Sequence, residues 1–262
     1  MKESIRIAAI ADLHCTVASQ GNFQGLFLQM AQNADVILIC GDLTDYGLPE
    51  EAQILVKELA PALKLPILVV LGNHDFESGQ EDEVVRILSD AGITILNGGN
   101  AEFYGIGFAG AKGFIGGFGH GSLQPWGESS TKRFVHEAVE EALKLETALA
   151  RLRTPQRVAL LHYAPIQETV EGEPPEIFPF LGSSRLEEPL NRYAVHAVFH
   201  GHAHRGSLEG RTKSNVPVYN VAMPLLAAKF PDKLPFRVVE VPLGEAAVEP
   251  AYNLAGATSG TR

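Results

Sequence analysis

Cysteine is scarce in this chain: 262 residues contain two, Cys15 and Cys40. That excludes a disulfide framework. Tryptophan occurs once, at Trp126, and there is no Asn-x-Ser/Thr tripeptide. Long hydrophobic runs are missing as well. Greasy segments such as Val36–Cys40 and Ile67–Leu71 have the length of a strand, far short of the roughly 20 residues that cross a membrane. Positive charge is in deficit, with 21 Lys and Arg against 31 Asp and Glu and a net charge of −10. Such a surface repels polyanions, so bulk nucleic acid and membranes are not expected as partners. A small phosphorylated substrate is admitted if metal ions reverse the sign locally. Met1–Ser4 leads into Ile5–Ala11 without a basic stretch or a cleavage site, and the expected location is cytoplasmic.

At 45% hydrophobic residues, the chain has too much apolar material to remain disordered. The runs Ile5–Ala11, Val36–Cys40 and Ile67–Leu71 alternate with helix-like stretches at Gln24–Asn33 and Pro49–Leu63. This order predicts a parallel sheet covered on both faces. Pro49 followed by Glu50 and Glu51 suits a first helical turn. A third helix is expected at Gln80–Ala91, then short strands at Ile93–Leu96 and Glu102–Ala109. Gly110–Ser130 is glycine-dense and aperiodic, which reads as a long surface loop of the lid type. Thr131–Arg153 is the clearest helix. Val158–Leu161 and Ala194–Phe199 read as buried strands, Glu168–Arg185 as a loop, and Val216–Val221 with Arg237–Val241 as a hairpin pair. Residues 1–243 are expected to form one domain and 244–262 a flexible tail.

The chemistry lies where the apolar runs stop. Ile5–Ala11 ends in Asp12-Leu13-His14, Val36–Cys40 in Gly41-Asp42-Leu43-Thr44-Asp45, and Ile67–Leu71 in Gly72-Asn73-His74-Asp75. Val158–Leu161 ends in His162, and the run through Phe199 in His200-Gly201-His202-Ala203-His204. The carboxyl ends of parallel strands form the active edge of open α/β sheets. Taken singly, each cluster reads as a turn, a cap or a satisfied polar residue. Together they deliver ligands to one rim. In Gly-His-x-His, a two-residue step on extended backbone points both imidazoles the same way. Imidazole with carboxylate suits Zn, Mn or Fe, and the lack of cysteine in the set argues against a closed structural zinc site. Four His, two Asp and one Asn exceed the needs of one tetrahedral ion. Two ions sharing a carboxylate use all seven, and ions about 3.5–4 Å apart clamp both oxygens of an in-line phosphoryl displacement.

The ordered set Asp-x-His, Gly-Asp, Gly-Asn-His-Asp, His and Gly-His-x-His, from Asp12 to His204, resembles the calcineurin-like metallophosphoesterase superfamily. The resemblance implies a four-layer α-β-β-α sandwich of two mixed β-sheets. It implies one metal held by Asp12, His14, Asp42 and His204, and another held by Asp42, Asn73, His162 and His202, with Asp42 bridging. The implied reaction is hydrolysis of a phosphate ester by a metal-bridging hydroxide that attacks phosphorus. Asn73 and His74 would contact the substrate phosphate, His74 would act as general acid, and Asp45 would orient His74. Asp75 is read as a turn or helix-capping residue.

The block Gly41–Gly47 followed by Gly-Asn-His-Asp looks like the bacterial branch that includes class III cyclic-nucleotide phosphodiesterases. A phosphodiester or nucleotide-type substrate is therefore favoured, with a phosphomonoesterase of broad specificity as the alternative. A protein serine/threonine phosphatase fits less well, since Tyr46 and Asp75 stand where that family carries arginines. From another class, a non-catalytic scaffold would be expected to have lost ligands that this chain keeps. Among further residues, His120, Arg185 and Arg205 are candidates to meet substrate, and His200 is a candidate to support the ligands. Gly105–Gly110 matches Gly-x-Gly-x-x-Gly, but no helix pattern follows, so it reads as strand and turn glycines.

Overall fold

Continuous apolar runs of Ile, Val and Leu become the centre of a sheet because both of their faces can be buried. The first three form β1 (Ser4–Ile10), β2 (Val36–Cys40) and β3 (Ile67–Val70), and Thr94–Ile95 adds β4. These four lie parallel, and a last strand, Arg237–Pro242, joins β1 antiparallel to give a mixed five-stranded sheet. The computed structural model describes residues 2–243, so the tail 244–262 lies outside the described residues.

Helices α1 (Gln24–Asn33), α2 (Pro49–Leu59) and α3 (Glu81–Asp90) connect these strands. Alternation sorts the side chains of each strand. Ala8, Ile10, Ile37, Ile39, Ile67 and Val69 face the helices, where they meet Phe27, Met30 and Leu55. Ile5, Ile7, Ala9, Val36, Leu38 and Val70 face the other way, toward a second sheet.

That second sheet is built from β5 (Gly99–Phe103), β6 (Ile106–Gly110), β7 (Gln156–Leu160), β8 (Ala197–His200), β9 (Glu209–Arg211) and β10 (Pro217–Asn220). Phe108, Val158, Leu160 and Phe199 close the core between the sheets. Ala109, Ala159, Val198 and Val218 face outward onto Leu145 and Leu149 of α4 (Ser129–Arg151). The layers therefore run helices, sheet, sheet, helices. This is the mixed-sheet sandwich expected from the sequence, and among the described residues no helix is long and apolar enough to cross a membrane.

Two sequence expectations are corrected. Val216–Val221 and Arg237–Val241 do not form a hairpin: β10 pairs with β8 and β9, whereas Arg237–Pro242, here β11, pairs with β1 in the other sheet. A helix at Met223–Lys229 separates them, and a connection of that length relaxes the local constraint that makes hairpins. Glu102–Ala109 is not one strand but the middle of the β5–β6 hairpin. Tyr104 and Gly105 form its tip with φ of 54° and 77°, the left-handed pair that suits the twist of a two-residue turn.

The parallel directions of β1, β2, β3, β7 and β8 fix the site. Their carboxyl ends open on one edge of the sandwich. The sheets are stitched together there: Ala11 N–H donates to Val221 O at 2.9 Å, and His162 Nδ1 donates to Cys40 O at 3.0 Å.

Candidate metal centre

The backbone that carries the candidate residues is unusual before any side chain is considered. Among the described residues, six other than glycine have positive φ, and four of them are Asp12 (58°), His14 (44°), Asp42 (47°) and His202 (69°). Each such residue costs on the order of 1–2 kcal/mol. Clustering at one place means that the surrounding contacts hold the strain to aim these side chains. Gly41 and Gly72 make room. A Cβ on Gly41 would overlap the His162 ring, and one on Gly72 would overlap the Asp42 carboxylate.

At one end of the site lie Asp12, His14 and His204. At the other lie Asp42, His162 and His202, and the donor atoms of each trio fall within 4.8 Å of one another. Asp42 links the ends, with Oδ2 3.8 Å from His14 Nε2 and Oδ1 3.4 Å from His162 Nε2. Asn73 Oδ1 lies 2.9 Å from that same His162 nitrogen.

The hydrogen bonds determine which ring nitrogens carry lone pairs. His162 gives its Nδ1 proton to Cys40 O, so Nε2 turns a lone pair toward the oxygens of Asn73 and Asp42. His202 donates from Nε2 to Phe180 O at 3.1 Å, which frees Nδ1. His14 donates from Nδ1 to Asp45 Oδ1 at 3.1 Å, and its Nε2 is buried without a partner. Acceptors converge with few protons between them. Buried polar atoms are ordinarily satisfied, and a cation among lone pairs satisfies these. The donor set, imidazole with carboxylate and one amide oxygen, suits transition-metal ions.

Electrostatics agree with this reading. Burial pushes His202 down to about 3 and lowers His162, so both rings are neutral, as a ligand must be. Burial, with Asp12 beside it, raises Asp42 to about 6. Two buried carboxylates this close repel unless positive charge lies between them. Burial would also raise Asp12, but the bond from His204 Nε2 at 3.2 Å helps to hold it below its ordinary value. His204 is raised by the same bond.

Gly-His-x-His does not work as the sequence suggests. β8 stops at His200, and His202 is left-handed rather than extended. The two imidazoles therefore part, His202 to the Asp42 end and His204 to the Asp12 end.

Asp45 also departs from expectation. Its carboxylate lies 3.1 Å from His14 Nδ1 and 3.7 Å from His74 Nδ1. His74 Nδ1 donates instead to the backbone oxygen of Asp45 at 2.7 Å. The Asp45 side chain thus orients the candidate ligand His14, and its main chain orients His74. The His74 ring stands edge-on to His14 with centroids 4.5 Å apart, and its backbone N–H donates to Asp42 Oδ1 at 2.9 Å. Burial opposes protonation of His74, but its bond to Asp45 and the carboxylates of Asp42, Asp45 and Glu77 outweigh that and raise its pKa.

Asp75 is a buried clamp. It accepts from the N–H groups of Gly72 (2.8 Å), Leu43 (3.2 Å) and Thr44 (2.9 Å) and from Thr44 Oγ1 (2.6 Å). The loops that carry Asp42 and Asn73 are locked together through it. Asp75→Ala leaves these donors unsatisfied and is expected to lower stability by about 2–4 kcal/mol. Urea denaturation of the metal-free protein measures this; an unchanged midpoint would refute the clamp.

The remaining candidates fall in place. His200 is buried and neutral, pushed by burial to about 4, donating from Nδ1 to Gly201 O and accepting from Thr169 Oγ1. It braces the strand end. Arg185 donates to Leu123 O at 3.1 Å, and His120 is exposed. Arg205 is exposed, with its N–H on Glu173. None of these three joins a ligand trio. The loops 110–130 and 168–185 clasp each other through Gly117 N–H to Gly182 O (2.9 Å) and Ser184 N–H to Gly117 O (3.1 Å). Sequence reasoning missed the Phe180 carbonyl, which fixes the tautomer of His202.

A family model described as calcineurin-like phosphoesterase matches residues 5–206. No curated protein matches the chain significantly. Among solved structures, similarity extends to the phosphopantetheinyl hydrolase of Mycobacterium tuberculosis, with TM-score 0.65, 14% identity, and 91% of this chain and 97% of that one covered. TT1561 of Thermus thermophilus gives TM-score 0.56 at 15% identity, covering 92% and 99%. A putative 5'-nucleotidase of Staphylococcus aureus gives 0.51 at 16%, covering 83% of this chain and 48% of that one. At such identities the likeness concerns the fold.

Proposed function

The chain belongs to the calcineurin-like phosphoesterase family, and from that premise we propose that it is a dinuclear metal-dependent hydrolase of small phosphate esters, with phosphodiesters of nucleotide type favoured. The observation that carries this reading is the convergence of lone pairs from His14, His162, Asn73 and Asp42 with few protons among them. Asp12, His14, Asp42 and His204 would hold one ion, and Asp42, Asn73, His162 and His202 the other. Mn, Fe or Zn suits these donors. When bound, the pair supplies positive charge against phosphate oxygens and an acidified water at neutral pH.

The protein's own groups do the rest. The left-handed residues and the Asp75 clamp hold the ligands in place. His74, fixed through Nδ1 by the Asp45 carbonyl, keeps Nε2 for the substrate. Its raised pKa suits a group that hands a proton to a leaving alkoxide. Asn73 and His74 are the proposed contacts to the phosphate. Two free, buried cysteines fit a cytoplasmic setting.

Hydrolysis of bis(p-nitrophenyl) phosphate and p-nitrophenyl phosphate, with Mn, Fe, Zn or Ni supplied, tests the proposal. The diester is expected to turn over faster. The opposite order would replace the diesterase reading with a phosphomonoesterase of broad specificity. Metal binding without either activity would favour a non-catalytic scaffold.

A further inference from the structure

Strand β6 runs parallel to β7, so its carboxyl end opens on the same edge as the candidate ligands. Just beyond it, the Lys112 carbonyl receives the N–H groups of His162 (3.0 Å) and Tyr163 (3.1 Å). The Lys112 side chain is half-buried, and its ammonium is enclosed by rings. The centroids of Phe114, Tyr163 and Phe76 lie 4.9, 5.3 and 5.5 Å from Nζ. Each ring is tied to the centre. Phe76 ends the turn that carries His74, Tyr163 follows His162 and stands 4.5 Å from the His202 ring, and Phe114 packs on Tyr163 at 6.2 Å.

One Lys112 proton goes to Gly113 O at 3.0 Å. Among the described residues, no carboxylate pairs with this ammonium within 4.0 Å. Glu141, behind it on α4, is bound instead to Gly113 N–H (2.9 Å) and Lys144 Nζ (2.5 Å). Glu141 and Glu137 act on the ammonium only through space; a cation drawn out of water without a carboxylate in contact is unfavourable, and aromatic faces return only part of that loss. An anion would return the rest. Tyr163 touches both groups, so the ammonium stands one ring beyond His202 rather than among the ligands.

We propose that Lys112 binds a second anionic group of the substrate, beside the phosphate that is cleaved. The substrate would then be a phosphate ester or anhydride with a further phosphate or similar oxyanion next to the scissile one. This rests on the phosphoesterase reading above and narrows it.

Calorimetric titration of Mn-loaded wild type and Lys112→Met with inorganic phosphate and with pyrophosphate in the form of its non-hydrolysable methylene analogue tests the inference. Wild type is expected to bind pyrophosphate at least about tenfold more tightly than phosphate, the scale of one charge-assisted contact. Lys112→Met should lose that excess, with phosphate affinity changed less than about twofold. Equal weakening of both anions, or an excess that survives in Lys112→Met, would overturn the proposal. Should Lys112→Met fail to fold, acetylation of wild-type Lys112 by acetic anhydride, read by mass spectrometry, serves instead. Pyrophosphate is expected to protect Lys112 and phosphate is not; equal labelling in both would count against it. Hydrolysis of bis(p-nitrophenyl) phosphate and p-nitrophenyl phosphate by the same wild-type protein separates the two levels. Turnover without a pyrophosphate excess overturns the role of Lys112 alone, and an inert protein that binds neither anion overturns both readings.

Discussion

Asp42→Asn is expected to leave a folded protein that has lost activity on the order of 10³-fold or more, together with its ability to hold paired ions. Asp42 reaches both ends of the site, with one oxygen toward His14 and the other toward His162. The amide keeps the shape but removes the charge that two cations would share. Its NH₂ group would also face a histidine lone pair. The fold should persist because Asp42 is held in a strained left-handed turn and is raised to about 6 by burial and by Asp12. Removing that charge relieves a repulsion in the metal-free protein. A metal-free Asp42→Asn variant that melts no lower than wild type, yet is inactive when Mn is supplied, is the expected result. Retained turnover would refute the bridging role.

His74→Ala is the second large effect, and its pattern distinguishes it from the first. His74 belongs to neither the Asp12 trio nor the Asp42 trio, and its ring is oriented by the Asp45 carbonyl. The variant should therefore keep its metals while kcat for esters with poor, alkyl leaving groups falls about 10²–10⁴-fold. p-Nitrophenyl esters, whose leaving group needs no proton, should suffer far less. A uniform loss across leaving groups would remove the proton-donor role. Loss of metal would show that His74 belongs with the ligands, as its third grouping with His14 and Asp45 would then require.

Much of this was legible because strand ends are written into the sequence. Ile7–Ala11, Val36–Cys40 and Ile67–Leu71 are buried on both faces, so the polar residues after them had to lie at the sheet edge. What escaped was set by backbone conformation and long-range contacts. His202 and His204 diverge because of one left-handed residue, which residue spacing does not encode. Asp45 uses its carbonyl where a carboxylate was expected, and main-chain acceptors leave no trace in residue identity. β9, with three mostly exposed residues, and the helix Met223–Lys229, with proline in its first turn, are too short for periodicity to reveal. Lys112 was within reach. Its strand, hidden in a hairpin read as one segment, ends on the same edge as the five that were recognised.

Metal content is the most direct test of the seven-residue centre. Wild type and Asp42→Asn would each be loaded with Mn, freed of loose metal by gel filtration and measured by inductively coupled plasma mass spectrometry. A shared carboxylate predicts two ions per wild-type chain, and one or none after the substitution. A wild-type chain that retains none, or a variant that still holds two, would contradict it.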